Sequence, residues 1–375
     1  MTTLSSAPHQ VTHDPEMPSP FFRHPGRRLL LLLAMAGLLS AAIFWQSWYQ
    51  QQTGMIAGRP LASRETHLHA VVFSSRSGVI YLGTHAGLFA STDGGRTWPR
   101  SKAALTTMMI TAIAVSPTNP DLLAVLSIPN GSSGGQLGVW VSADGGAHWR
   151  FTPPASLPAS AYPYALESAS GAAGHFYAFF TSAGWFETHD LGKHWSPLTY
   201  GTLAPMTISS LLVDPANTGH LLIGSDAGLS ASKDDGKTWQ QITRVQSPVT
   251  SLVATQERPD RTRIIFCATD QELLRGIQRQ GQILWMPVSL PTSLLPTRLV
   301  VNADGSALYA LAGSDLWFSA NQGSTWSHRW HFARGDLTAL TLNPDNVQEL
   351  LAGFFWPGLA LISTDAGLSW RTLTD

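Results

Sequence analysis

Cysteine is almost absent. Cys267 is the only one in 375 residues, so no intrachain disulfide can form and packing alone must hold the fold. It sits in an apolar run, Arg263-Ile-Ile-Phe-Cys-Ala-Thr269, which reads as a strand with a buried thiol. Charge is also scarce. Lys, Arg, Asp and Glu make up 13% of the chain, against about 25% in a typical soluble domain. The formal net charge is -1. With no basic excess, the composition excludes nucleic acid as a natural partner, and no acidic run forms a solvating tail.

One stretch lacks charge altogether. Leu29 to Trp48 is 20 residues without Asp, Glu, Lys or Arg, which is enough for about 30 Å of helix, the thickness of a bilayer core. Arg23, Arg27 and Arg28 precede it, and no Lys or Arg follows until Arg59. The positive-inside tendency therefore predicts a single span at 29–48 with the N-terminus in the cytoplasm and the rest of the chain outside. Residues 1–28, rich in Pro, Ser, Thr and His, read as a disordered cytoplasmic tail, and 49–65 as a linker. The alternative is a cleaved signal peptide, with Ser40 and Ala42 as the small residues at the cleavage site.

What the chain does have is a repeat. Ser91 to Trp98 reads STDGGRTW, and related octets follow at 142–149, 188–195, 232–239, 319–326 and 363–370. The shared pattern is Ser/Thr-x-Asp-x-Gly-x-(Ser/Thr/His)-Trp, with Asn321 replacing Asp once. Between the fourth and fifth octets lies GIQRQGQILW, which keeps Trp285 and loses the acid. Trp98, Trp149, Trp195, Trp239, Trp285, Trp326 and Trp370 thus recur at steps of 51, 46, 44, 46, 41 and 44 residues. Short runs rich in β-branched and aromatic residues fill each unit, separated by Gly, Pro, Asn and Asp. Four strands in about 44 residues make one propeller blade. The chain is therefore expected to be all-β: a seven-bladed β-propeller of four-stranded blades over residues 66–375, preceded by one transmembrane helix.

Each octet falls where the third strand of a blade turns into the fourth. Asp93, Asp144, Asp190, Asp234 and Asp365 can accept backbone N–H groups there, and Asn321 can do the same with its amide oxygen. The glycine two positions later supplies a left-handed turn residue, and the tryptophan covers apolar surface. These octets resemble the Asp-box, or BNR, repeat of sialidases, sortilin-type receptors, xyloglucanases and photosystem II assembly-factor-like propellers. The resemblance implies that the octet acids are structural and lie away from the functional face. A calcium role is the alternative for these segments. It is disfavoured because each octet brings one or two carboxylates, while Ca²⁺ takes about six to eight oxygens.

Sialidase chemistry does not fit. That resemblance would require a Phe/Tyr-Arg-Ile-Pro motif and a late nucleophilic Tyr. Phe22-Arg-His-Pro25 precedes the expected span, Arg59-Pro60 lacks the aromatic, and no Tyr follows Tyr309. Among the other acids no spacing singles out the two facing carboxylates of a glycosidase. His67 and His69 share a face of one strand, but no third ligand stands at a defined spacing, so no metal and no cofactor are assigned. A binding module fits better, with a protein or carbohydrate ligand on the propeller face. The alternatives are a glycoside hydrolase and an assembly factor for a membrane complex. The repeat is broken at 127–138, 153–174 and 354–358, where ligand contacts are expected from Tyr162, Tyr164 and Trp356. Arg275 and Arg279, on the octet-less hairpin of blade five, are expected to face outward toward anionic groups.

Overall fold

The computed structural model describes residues 66–373 apart from 76–77, 100–104, 107, 131–134, 156, 159, 170–172, 199–207, 215–216 and 335. The expected tail, span and linker lie outside the described residues. Among the described residues no helix is long and apolar enough to cross a membrane.

The chain forms seven antiparallel sheets in strict sequence order. Blade one is β1 (Leu68–Phe73), β2 (Ile80–Thr84) and β3 (Gly87–Ser91). Blade two is β4 (Met108–Val115), β5 (Leu123–Pro129), β6 (Gly138–Ser142) and β7 (Arg150–Phe151). Blade three is β8 (Tyr162–Ser168), β9 (Phe176–Thr181), β10 (Gly184–Thr188) and β11 (Ser196–Pro197). Blade four is β12 (Ile208–Asp214), β13 (Asn217–Ser225), β14 (Gly228–Ser232) and β15 (Gln240–Gln241). Blade five is β16 (Val249–Ala254), β17 (Thr262–Thr269), β18 (Leu273–Arg279) and β19 (Gln282–Val288). Blade six is β20 (Pro296–Val301), β21 (Leu308–Ala312), β22 (Asp315–Ser319) and β23 (Ser327–His331). Blade seven is β24 (Leu337–Leu342), β25 (Leu350–Phe354), β26 (Leu359–Ser363) and β27 (Arg371–Leu373).

In blade one three strands lie among the described residues. Its fourth position is marked by one bond, from the Ala90 N–H to the Pro99 carbonyl at 3.3 Å, just before the undescribed residues 100–104.

The second strand of each blade has neighbouring blades on both faces. That is why β2, β17, β21 and β25 are buried along their whole length and read as continuous apolar runs. The core is accordingly distributed. Among the described residues, seven hydrophobic clusters each straddle one seam between adjacent blades. Phe89, Trp140 and Phe186 are buried in this packing and Trp317 packs against it. Cys267 is fully buried, and burial pushes its thiol up to about 12.

The ring closes without exchanging a strand between its ends. Leu68, Val71 and Phe73 pack with Leu351, Ile362 and Leu373 across the seam between blades one and seven. The Leu68 N–H donates to the Phe355 carbonyl at 3.2 Å, and the Gly358 N–H to the Thr66 carbonyl at 2.7 Å.

A further regularity runs around the innermost strands. Each first strand slips register near its start, leaving one extra residue: His69, Thr111, Tyr164, Ser209, Thr250, Thr297 and Thr338. Five of these seven are Ser or Thr. Four of the hydroxyls donate to the first strand of the next blade: Thr111 to Pro163 O (3.5 Å), Ser209 to Val249 O (2.8 Å), Thr250 to Pro296 O (2.9 Å) and Thr338 to Leu68 O (3.4 Å). Thr297 instead bonds within its own blade, to Leu311 O at 3.5 Å. His69 and Tyr164 are the two exceptions in residue type.

Candidate functional site

Because every sheet is an antiparallel meander, its connections alternate between two sides. First-to-second and third-to-fourth connections emerge on one side, which carries the octets. Second-to-third connections and the links between blades emerge on the other.

Each octet consumes its own polar groups. In blade four the Ser232 hydroxyl donates to Asp234 Oδ1 (2.9 Å) and accepts from the Gly236 N–H (2.9 Å). Asp234 then accepts from the Thr238 N–H (2.8 Å) and hydroxyl (2.7 Å), which hold its carboxyl below the usual range. Asp144 and Asp190 accept instead from the ring Nδ1 of His148 and His194, each at 2.6 Å. In blade six the polarity reverses, and Asn321 Nδ2 donates to the Thr325 hydroxyl at 2.9 Å. Trp98, Trp149, Trp239 and Trp370 close the turn by donating Nε1–H to the carbonyl of the octet glycine. That glycine is left-handed in every octet. So is the residue before it, which is a non-glycine at Leu191, Asp235, Gln322 and Ala366.

The repeat-breaking segments gather on the other side. Residues 127–138 include the β5–β6 connection, 153–161 link blades two and three, and 355–358 form the β25–β26 turn. The remainder of 153–174 crosses the ring along β8 and ends on the octet side. Tyr164, at the bulge position of β8, is 59% exposed and stands edge-on to Phe179. Tyr162, two residues earlier, is half-buried, and burial raises its hydroxyl. Trp356 is 38% exposed on a braced turn. Its N–H donates to Asp336 Oδ2 (3.1 Å), while Arg334 holds both Asp336 and the carbonyls of Trp356 and Pro357. Tyr162 and Tyr164 are thus together on blade three. Trp356 is on the same side of the ring but on blade seven.

The arginines do not join them. They belong to the hairpin of blade five, on the octet side. β18 and β19 pair over seven residues and turn through Gln280 and Gly281, both left-handed, the signature of a tight two-residue hairpin. Gly276 is not part of this turn. It lies in mid-strand, where a Cβ would come within 2.9 Å of the Trp285 ring. Nor does Arg275 face outward: its Nη1 donates to the Gln322 carbonyl of blade six at 3.2 Å. Arg279 is exposed, with its guanidinium 4.0 Å from Asp260. Four residues apart, the two share a face of β18; Arg275 lies in mid-strand, where blade six covers it, and Arg279 lies at the strand end beside the turn.

Three features had no usable spacing. The β2–β3 turn brings His85 against His67, with His67 Nδ1 and His85 Nε2 3.0 Å apart. The one available signal was internal: Thr84-His-Ala-Gly87 occupies the turn that blade four fills with Ser225-Asp-Ala-Gly228, and both turns use the same hydroxyl bonds. Glu167 stands on an innermost strand, where desolvation pushes its carboxyl up to about 7. On the octet side a polar cleft of about 360 Å³ lies between blades four and five, lined by Asp214, His220, Glu257, Arg261, Arg263 and Gln278.

These features define an all-β seven-bladed propeller with one regular and one irregular face. No family model matches the chain. A probable oligoxyloglucan-reducing end-specific xyloglucanase of Neosartorya fischeri is 28% identical over 184 residues, 46% of this chain and 21% of that enzyme. The match therefore spans about a fifth of that relative. Among solved structures, YCF48 from Cyanidioschyzon merolae superposes with a TM-score of 0.59 at 16% identity, over 82% of this chain and 97% of that one. An ancestral GH74 enzyme gives 0.58 at 17% identity, over 85% of this chain and 48% of that one. At these identities the likeness is one of fold.

Proposed function

We propose that this chain is a membrane-anchored, extracytoplasmic propeller that acts as a non-catalytic binding module, with a protein ligand on the face opposite the octets. The observation that carries the reading is the segregation of irregularity. The octets, which we take to be Asp-box repeats, spend their polar groups on their own turns, while most of the broken segments and the exposed Tyr164 and Trp356 lie on the other side. Large aromatics on rigid supports are the usual anchors of protein interfaces. An assembly factor for a membrane complex is one form this role can take. The test is a pull-down from membrane fractions with full-length protein, run beside a glycan array. Trp356→Ala and Tyr164→Thr should weaken capture by at least about tenfold, the scale of an interface anchor, and Asp234→Asn should not. Capture that ignores both aromatics defeats this placement, and a glycan signal without protein capture reassigns the ligand. Protease added to intact cells should remove the propeller.

Glu167 favours a second reading. A glycosidase needs a carboxyl with a raised pKa, and its surroundings on the innermost strand shift the solvent-exposed Glu167 in that direction. Oligosaccharide hydrolysis that disappears in Glu167→Gln would establish this reading in place of the first.

A further inference from the structure

We propose that His67, His69 and His85 form a binding site for a divalent transition-metal ion of the Zn²⁺ class. One ring nitrogen from each residue lies within 4.8 Å of those of the other two. Imidazole nitrogens bound to zinc at about 2.0–2.1 Å in a tetrahedron stand about 3.3 Å apart. His67 Nδ1 and His85 Nε2 are already at 3.0 Å, close to that spacing.

The ligand nitrogens are little engaged elsewhere: His67 Nδ1 and His85 Nε2 meet each other, and His69 Nε2 is buried with no hydrogen-bond partner among the described residues. Buried polar atoms left unpaired are costly and rare, and call for an explanation. A metal ion supplies one. The donor set is all nitrogen, which suits zinc, copper or nickel better than calcium or magnesium.

The ligands also sit on fixed supports. The His85 N–H donates to the His67 carbonyl at 3.3 Å, and Asn130 Nδ2 donates to the His85 carbonyl at 2.8 Å. Phe355 stacks on the His67 ring at 4.3 Å, and Trp356 meets it edge-on at 4.7 Å. Three ligands leave one tetrahedral position open, and the exposed Trp356 is a neighbour of the His67 ring. That position is available to water or to a donor atom of a bound molecule. The site also accounts for the first exception in the ring of bulge residues, where His69 replaces the usual hydroxyl.

A second cluster, His175, Glu187 and His189, serves as the internal control. Its ligand atoms also lie within 4.8 Å, but it includes a carboxylate and the exposed His189. Full-length protein carrying His189→Ala, stripped with a chelator, is titrated with Zn²⁺ alone by calorimetry and examined by X-ray absorption at the zinc edge. The proposal expects one saturable site with three imidazole nitrogens at about 2.0–2.1 Å. Adding His69→Gln should weaken binding by more than about 100-fold, beyond the usual effect of losing an outer partner. No saturable binding overturns the proposal. So does a ligand set containing a carboxylate, or affinity that survives His69→Gln. If His69→Gln does not fold, the absorption spectrum of the parent decides.

Discussion

The Leu373 side chain occupies the space that a Cβ on Gly95 would need, its Cδ2 lying 2.1 Å from that position. Gly95 belongs to the octet of blade one, with φ +85, and Leu373 to the last strand of blade seven. Gly95→Ala therefore combines a left-handed alanine, about 1–2 kcal/mol, with overpacking of about 1–3 kcal/mol. Leu373→Ala should lose about 2–5 kcal/mol by leaving a cavity in the same seam. Denaturant midpoints measure both, and two unchanged midpoints would mean that this contact does not hold the ends together.

Removing one hydroxyl from the inner ring should loosen a single seam. Thr250→Val keeps the shape but leaves the Pro296 carbonyl without its 2.9 Å donor. A loss of about 0.5–1.5 kcal/mol is expected. Thr111→Val should cost less, because its bond to Pro163 is 3.5 Å long. Equal costs at the two sites would show that the hydroxyls contribute through something other than these bonds.

Some octets carry correctable strain. Gln322 is left-handed at φ +58, a conformation that costs a non-glycine residue about 1–2 kcal/mol, against about 0.5–1 kcal/mol of extra unfolded-state entropy for glycine. Gln322→Gly should therefore raise stability by roughly 0.5–1 kcal/mol. A lower melting temperature would indicate that the Gln322 side chain makes contacts worth more than the strain.

The octet acid is replaceable by an amide, since Asn321 already bonds Ser319, Thr325 and the Thr325 N–H. Asp234→Asn should melt close to the parent, and Asp234→Ala clearly lower, because Ala leaves the Ser232 and Thr238 hydroxyls without their acceptor. Equal losses would mean that the negative charge itself is required at this turn.

Stability should fall on mild acidification. In the unfolded chain a histidine takes up its proton near pH 6.5. In the fold, burial holds His67 off until about 4 and His69 until about 3. Across that window the unfolded state binds more protons, so stability decreases as pH drops below about 6.5. The octet carboxylates act lower. The His148 N–H and ring draw Asp144 down to about 2, so its contribution is intact above about 4 and is lost only below that. A midpoint that falls from pH 7 to 5, and falls less in His69→Gln, fits the histidines. A flat profile contradicts their burial as neutral rings.

Blade number and blade boundaries were legible because the tryptophans keep a step near 44 residues through every variation around them, even at Trp285 where the acid is gone. The octet was legible because a turn is local: Ser232, Asp234, Gly236 and Thr238 meet within seven residues. What had no local trace was contact decided by register. Whether Arg275 meets solvent or blade six depends on how far along β18 the next blade reaches, and nothing local in Leu273–Arg279 announces that. His85 meets His67 only because β2 returns the chain to the start of β1. The inner ring of hydroxyls was hidden for another reason. Ser and Thr are too common in strands to stand out until the bulges place Thr111, Ser209, Thr250 and Thr338 at equivalent positions.

The two ends of the propeller differ in how they would bear a mechanical load. The N-terminal end enters at β1, the innermost strand, which is bonded on one side to β2 and on the other to blade seven through Leu68, Thr66 and the Thr338 hydroxyl. A pull on Thr66 acts along β1, so these bonds are sheared together. The other end is β27, three residues at the edge of a sheet, with a single paired neighbour. A pull there peels one bond at a time. Stretched from its N-terminus the ring should resist as a unit, and stretched from its C-terminus it should unzip from blade seven.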